Sequence, residues 1–148
     1  MNYPFTTPLT TRWADNDVYG HINNVTYYAF FDTIANLYLI EHGGLDIHGP
    51  VIGLVVESRC RFHAPLSYPD ELIGGMRVAK LGNSSVTYEL GVAKRGTAIV
   101  AAECTFTHVF VDRATRRPTP IPDPLRAALA KLVIPPLPPP LPPDPKRP

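Results

Sequence analysis

The run from Val25 to Glu41 sets the strongest limit on what this chain can fold into. Val25, Tyr27, Tyr28, Phe30, Phe31, Ile34, Leu37, Tyr38, Leu39 and Ile40 recur at helical spacing and cover most of a helix's circumference. Thr26, Asp32, Thr33 and Asn36 leave only a narrow polar stripe. A helix this apolar must be covered on several sides, so the run predicts a buried rod of about 25 Å rather than a surface helix. Gly43-Gly44 supplies its stop.

From Val51 onward the hydrophobic period shortens from that of a helix to that of a strand. Val51 to Phe62 begins as a β-branched run and ends in alternation, with Glu57, Arg59 and Arg61 on one face and Ser58, Cys60 and Phe62 on the other. Leu72 to Lys80, Ser85 to Lys94 and Thr97 to Val111 read as three more strands, with Arg95-Gly96 as a two-residue hairpin between the last two. A shorter strand, Thr6 to Ala14, precedes the helix, and Asp123-Pro124 opens a short final helix. The expected fold class is α+β: one strand, one long helix, then a four-strand meander, with the helix packed on an antiparallel sheet of about five strands. The face of the sheet away from the helix carries apolar residues too, which predicts self-association.

Just before the helix stands Arg12-Trp13-Ala14-Asp15-Asn16-Asp17-Val18-Tyr19-Gly20-His21-Ile22-Asn23-Asn24. Asp15, Asn16 and Asp17 compete with the backbone for hydrogen bonds and break the first strand. Gly20 permits a backbone angle that a branched residue resists. Asn23 or Asn24 suits the helix N-cap. A helix start presents unpaired N–H groups and a partial positive charge, so it can hold an oxyanion. A carboxylate a few residues upstream, Asp17, adds a general base or nucleophile, and the combination points to hydrolysis or acyl transfer.

Composition removes several alternatives. Lys plus Arg is 14 against 13 for Asp plus Glu, which leaves no strong field for nucleic acid. No apolar stretch reaches the roughly 18 residues of a membrane span, and the N-terminus lacks the basic and apolar regions of a signal peptide, so a cytoplasmic protein is expected. Cys60 and Cys104 lie in apolar runs and read as buried free thiols. His21, His42, His48, His63 and His108 are scattered without zinc-ligand spacing, and no metal or other cofactor is implied. No G-x-S-x-G elbow or phosphate-binding glycine loop occurs. Most of the 18 prolines lie after Arg117. Residues 1–134 therefore read as one domain and 135–148 as a disordered proline-rich tail, of extended polyproline character, that contains PxxP patterns.

The strand and helix order, with Arg12-Trp13-Ala14-Asp15-Asn16-Asp17, Gly20-His21-Ile22-Asn23-Asn24 and Tyr27, resembles the hotdog-fold acyl-CoA thioesterases, in particular the 4-hydroxybenzoyl-CoA thioesterase-like branch. Arg61-Phe62-His63-Ala64-Pro65 with Asp70-Glu71-Leu72 is similar to that family's loop between strands, and His108 to Asp112 to its closing strand. The resemblance implies a curved antiparallel sheet wrapped around the long helix, and a homodimer or homotetramer with the active site between subunits. It makes Asp17 the catalytic carboxylate. His21 and Asn23-Asn24 depart from the aromatic-substrate type and favour an aliphatic acyl group.

The expected reaction is hydrolysis of an acyl-CoA to a carboxylic acid and free coenzyme A. Asp17 is the general base or nucleophile, and Asp15 fixes the loop that carries it. Gly20 and His21 supply oxyanion amides or let the thioester approach, and Asn24 caps the helix or touches the acyl carbonyl. Tyr27 reads as core, and Glu57 as an exposed strand charge or a second acid/base. Two other functions fit the same residues: a thioesterase for acyl-carrier protein, and a non-catalytic acyl-thioester binding module whose tail recruits a partner.

Overall fold

The computed structural model describes residues 1–134; the proline-rich stretch from Pro135 to Pro148, and the tail expected there, lie outside the described residues. The elements run β1 (Phe5–Thr10), α1 (Asn24–Glu41), β2 (Val51–Phe62), β3 (Glu71–Leu81), β4 (Ser85–Lys94), β5 (Ala102–Asp112) and α2 (Asp123–Ala130). All five strands pair antiparallel in one sheet of order β1-β3-β4-β5-β2. The fold is α+β, with α1 of 18 residues and the short α2 of 8.

Only β3-β4-β5 form a meander. β2 lies at the far edge and pairs with β5 along its whole length, from Val51 opposite Asp112 to Phe62 opposite Ala102. The Pro-rich segment after β2 encodes a turn but not which edge the next strand joins, so this crossing is invisible to local patterning. The expected hairpin at Arg95-Gly96 is also replaced. Arg95 N–H donates to Glu71 O at 2.8 Å, which keeps the end of β4 bonded towards β3, and β5 does not begin until Ala102. Likewise β1 stops at Thr10, because the chain turns into a single 3₁₀ turn at Trp13–Asp15.

Side chains explain the packing. Tyr27, Phe30, Phe31, Ile34, Ala35, Tyr38 and Leu39 of α1 are buried against Leu72, Met76, Val78, Tyr88, Leu90, Val92 and Phe106 of the sheet. Each large apolar side chain so buried stabilises the fold by roughly 1.5–3 kcal/mol. Close approach requires Gly74, where a Cβ would collide with the buried Ile34 side chain. The Tyr38 hydroxyl donates to Ala128 O at 2.6 Å and ties α1 to α2.

A β-bulge at Val56 shifts the β2 register between Val55 and Glu57. The extra residue changes the phase of the strand. Ser58, Cys60 and Phe62 thereby stand opposite Phe106, Cys104 and Ala102, which face the core, while Glu57, Arg59 and Arg61 point away.

The outer face of the sheet carries apolar residues, as expected: Ile52, Leu54, Ile73, Val109 and Val111 lie on it. Its centre is polar, with Arg77, Thr87, Glu89, Thr105 and Thr107, an Arg77–Glu89 ion pair at 2.5 Å and a Thr87–Thr107 hydrogen bond at 2.9 Å. Tyr3 lies across it over Gly75 and Gly91, at 5.4 Å from the Arg77 guanidinium. Exposed apolar groups collect elsewhere: Val55, Val56 and Phe62 on β2, Val25 and Tyr28 on α1, and Trp13, Val18 and Tyr19 in the loop before it. Among the described residues, no helix is long and apolar enough to cross a membrane.

Candidate active site

Two carboxylates two residues apart meet opposite fates in the loop before α1. Asp15 is 1% exposed, and its carboxylate accepts the Arg12 N–H at 2.7 Å and the Arg12 guanidinium at 2.9 and 3.1 Å. Its carbonyl accepts the Asn23 N–H at 2.8 Å, which joins the start of the loop to the start of α1. Hydrogen bonds to a charged group are worth about 1.5–3 kcal/mol when buried, so Asp15 is a structural anchor, as expected.

Asp17 is half-buried instead. Its Oδ1 accepts the Tyr19 N–H at 2.9 Å; among the described residues Oδ2 has no hydrogen-bond partner and the carboxylate no ion pair. Backbone bonds hold it: Asp17 N–H to His21 O at 2.8 Å, and Gly20 N–H to Asp17 O at 3.1 Å. Gly20 has a φ of +81°, the left-handed conformation that glycine adopts without strain.

That turn changes the role open to Gly20. Its N–H is donated within the turn, so it does not point to an oxyanion, and its carbonyl accepts the Ser67 hydroxyl at 2.8 Å. The helix start is arranged differently as well. Asn23 is the N-cap, its side chain accepting Val25 N–H at 3.2 Å, and Asn24 is the first helical residue. Among the described residues, the amides of His21 and Asn24 donate no hydrogen bond at this corner. They are the donors left for a developing negative charge at the positive end of α1.

Asp17, His21 and Asn24 line one cleft of about 430 Å³ together with Ile22, Tyr27, Phe62, His63, Ala64 and Pro65. Gly20 lies outside it and helps form an adjoining cleft of about 420 Å³ with Trp13, Asn16, Asp17 and Val18. Asp17 is the residue the two share. Tyr27 is both core and cleft: it is buried, packs on Phe62 with ring centroids 5.1 Å apart, and burial pushes its phenol up. Glu57 is exposed on the outer side of β2 and joins neither cleft.

His63, Ala64 and Pro65 of the cleft's lining belong to the loop after β2, which hydrogen bonds fasten to the Asp17 loop. Ile22 N–H donates to Leu66 O at 2.8 Å and Tyr68 N–H to Asn16 Oδ1 at 3.0 Å. This loop brings in His63, whose Nε2 is 3.2 Å from Glu103 Oε2. No reading of single residues finds that pair, because forty residues separate its members and only the β2–β5 register places them together. Among the described residues, no group of three or more His, Cys, Asp or Glu side chains is placed to hold a metal ion.

Residues 11–129 match the family model described as the thioesterase-like superfamily. The crystal structure of the PA5185 protein from Pseudomonas aeruginosa is 57% identical, with a TM-score of 0.88 over 88% of this chain and 92% of that one. A gentisyl-coenzyme A thioesterase, BH1999, is 25% identical, with a TM-score of 0.74 over 84% and 99%. A 1,4-dihydroxy-2-naphthoyl-CoA thioesterase from Synechocystis, 19% identical, shares the fold with a TM-score of 0.78 over 86% and 96%. The curated relative matched is the YsmA protein of Bacillus subtilis strain 168, 22% identical over 86 residues, and the chain spans 58% of its length.

Proposed function

The chain belongs to the thioesterase-like superfamily, and on that premise we propose that it hydrolyses an acyl-CoA, with Asp17 as general base or nucleophile. One observation carries the assignment: a carboxylate with one oxygen uncommitted borders the cleft at the N-terminus of α1. Asp17 would draw a proton from water, or attack the carbonyl itself, and the Asn24 and His21 amides would meet the oxyanion. His21 and the Asn24 side chain would line the substrate. A structural neighbour named as a gentisyl-coenzyme A thioesterase supports coenzyme A as the thiol carrier.

The same proposal includes a hotdog arrangement, with α1 as the central helix, and a homodimer or homotetramer. Among the described residues, β2 leaves one edge of the sheet without a partner strand over 12 residues, none of them buried, and an open edge is a template for a second copy. A cytoplasmic setting fits the directly opposed thiols of Cys60 and Cys104, which a reducing compartment keeps unbonded. The one-domain reading of residues 1–134, with 135–148 as a separate tail, belongs to the same proposal.

The test is a hydrolysis panel of acetyl-, hexanoyl-, dodecanoyl- and benzoyl-CoA, read by release of free thiol, with Asp17→Asn as the control. Asparagine keeps the oxygen that accepts the Tyr19 N–H, so the turn should survive while turnover falls by about 10²- to 10⁴-fold. Binding without thiol release for every substrate, or full turnover by D17N, would reject the assignment.

A further inference from the structure

Thioester hydrolysis needs two proton movements: one away from water and one towards the departing sulfur. Asp17 answers the first alone. An aliphatic thiol is a weak acid, cysteine's pKa being near 8.5, so its thiolate leaves more readily when a proton is delivered as the C–S bond breaks. The group that delivers it must border the same cleft as Asp17 and be held in orientation.

We propose that His63, oriented by Glu103, is the general acid that protonates the departing sulfur. This rests on the thioesterase reading above and adds a second catalytic residue to it. His63 lines the same cleft as Asp17. Glu103 Oε2 accepts from Nε2 at 3.2 Å, which turns the ring and leaves Nδ1 as the nitrogen without a partner among the described residues. The backbone there is fixed on both sides. His63 and Ala64 N–H groups donate to the same Ala101 carbonyl at 2.8 and 3.1 Å, and Phe62 is packed on Tyr27. The two side chains are half-exposed, so the pair contributes little to stability.

The step balances as follows. A water oxygen bonds to the carbonyl carbon while one of its protons moves to Asp17. The C–S bond then breaks and its electron pair stays on sulfur; His63, acting as the imidazolium with its Nε2–H given to Glu103, passes its Nδ1 proton to that sulfur and is left neutral. Transfer of the Asp17 proton to His63 through solvent restores both groups, and carboxylic acid and free thiol leave.

The experiment compares two esters of the acyl group that the panel turns over fastest: its coenzyme A ester and its S-phenyl ester. Thiophenolate is stable enough to leave without a proton. His63→Gln should lose about 10- to 100-fold in kcat on the coenzyme A ester and stay within about 3-fold of the parent on the phenyl ester. Glu103→Gln should show the same selectivity at smaller amplitude, and Asp17→Asn should lose on both esters alike. Equal losses on the two esters for H63Q, or no loss on either, would overturn the role of His63 while leaving Asp17 standing. Absence of hydrolysis by the parent protein would instead remove the thioesterase reading, and His63 with it.

Discussion

The two sides of the sheet's inner surface are finished to different degrees. Over β3 and β4, residues such as Leu72, Met76, Val78, Val86, Leu90 and Val92 are sealed beneath α1 and α2. Over β2 nothing is sealed: no residue of that strand is buried, and a hollow of about 290 Å³ opens between it and Tyr28, Ala29 and Asp32 of α1. The loop that carries Asp17 continues this open side, with Trp13 81% and Val18 95% exposed. The covered side is a closed core. The open side exposes apolar groups and an edge without a partner strand among the described residues, which is where the proposed contacts with substrate and with a second copy would fall.

Substitution on the covered side should show the largest effect on stability. Phe31 is 1% exposed at the centre of α1, and Phe31→Ala should cost about 3–5 kcal/mol in chemical denaturation. A loss below about 1 kcal/mol would mean that this half is not the structural core.

Acid should act next, on a buried pair in the same interior. The Tyr88 hydroxyl lies 3.0 Å from His108 Nδ1, and burial pushes His108 down to about 4 from 6.5 and Tyr88 up. The unfolded chain therefore binds a proton at His108 that the folded chain refuses. The associated stability is intact above about pH 6.5 and is lost as pH falls towards 4, by about 3 kcal/mol in all. Unfolding curves at pH 7, 5.5 and 4 should show this slope, and the double variant Tyr88→Phe, His108→Leu should flatten it.

The smallest effect on stability, and the largest on assembly, is expected at the open edge. Val56→Lys should change folding free energy by no more than about 0.5 kcal/mol, as exposed sites do. It should also shift light scattering towards the monomer, because an edge lysine opposes strand pairing. Unchanged mass would reject pairing of two copies through β2.

Periodicity located the long elements well on both sides. β2 and β4 fall where their alternation places them, and α1 begins one residue before the apolar run. These elements are set by burial of near neighbours along the chain, which spacing records. The order of strands was not recoverable, because pairing of β2 with β5 is decided by length and register across the sheet. At the site, the contrast between Asp15 and Asp17 follows from a local motif and was anticipated. The engagement of the Gly20 amide is not legible, since glycine signals a turn without saying which carbonyl its N–H will meet. His63 lay in a segment whose likeness to a family loop was noted, but its link to Glu103 exists only in three dimensions.

The single inserted residue at Val56 has a consequence for how this protein can vary. Removing it would slip the second half of β2 by one position, turning Glu57, Arg59 and Arg61 towards α1 and Cys60 and Phe62 out to water. Chain length at this point is therefore quantised. A gain or loss of two residues preserves the strand's parity, and a change of one inverts it, so relatives that keep the cleft should differ here by even steps.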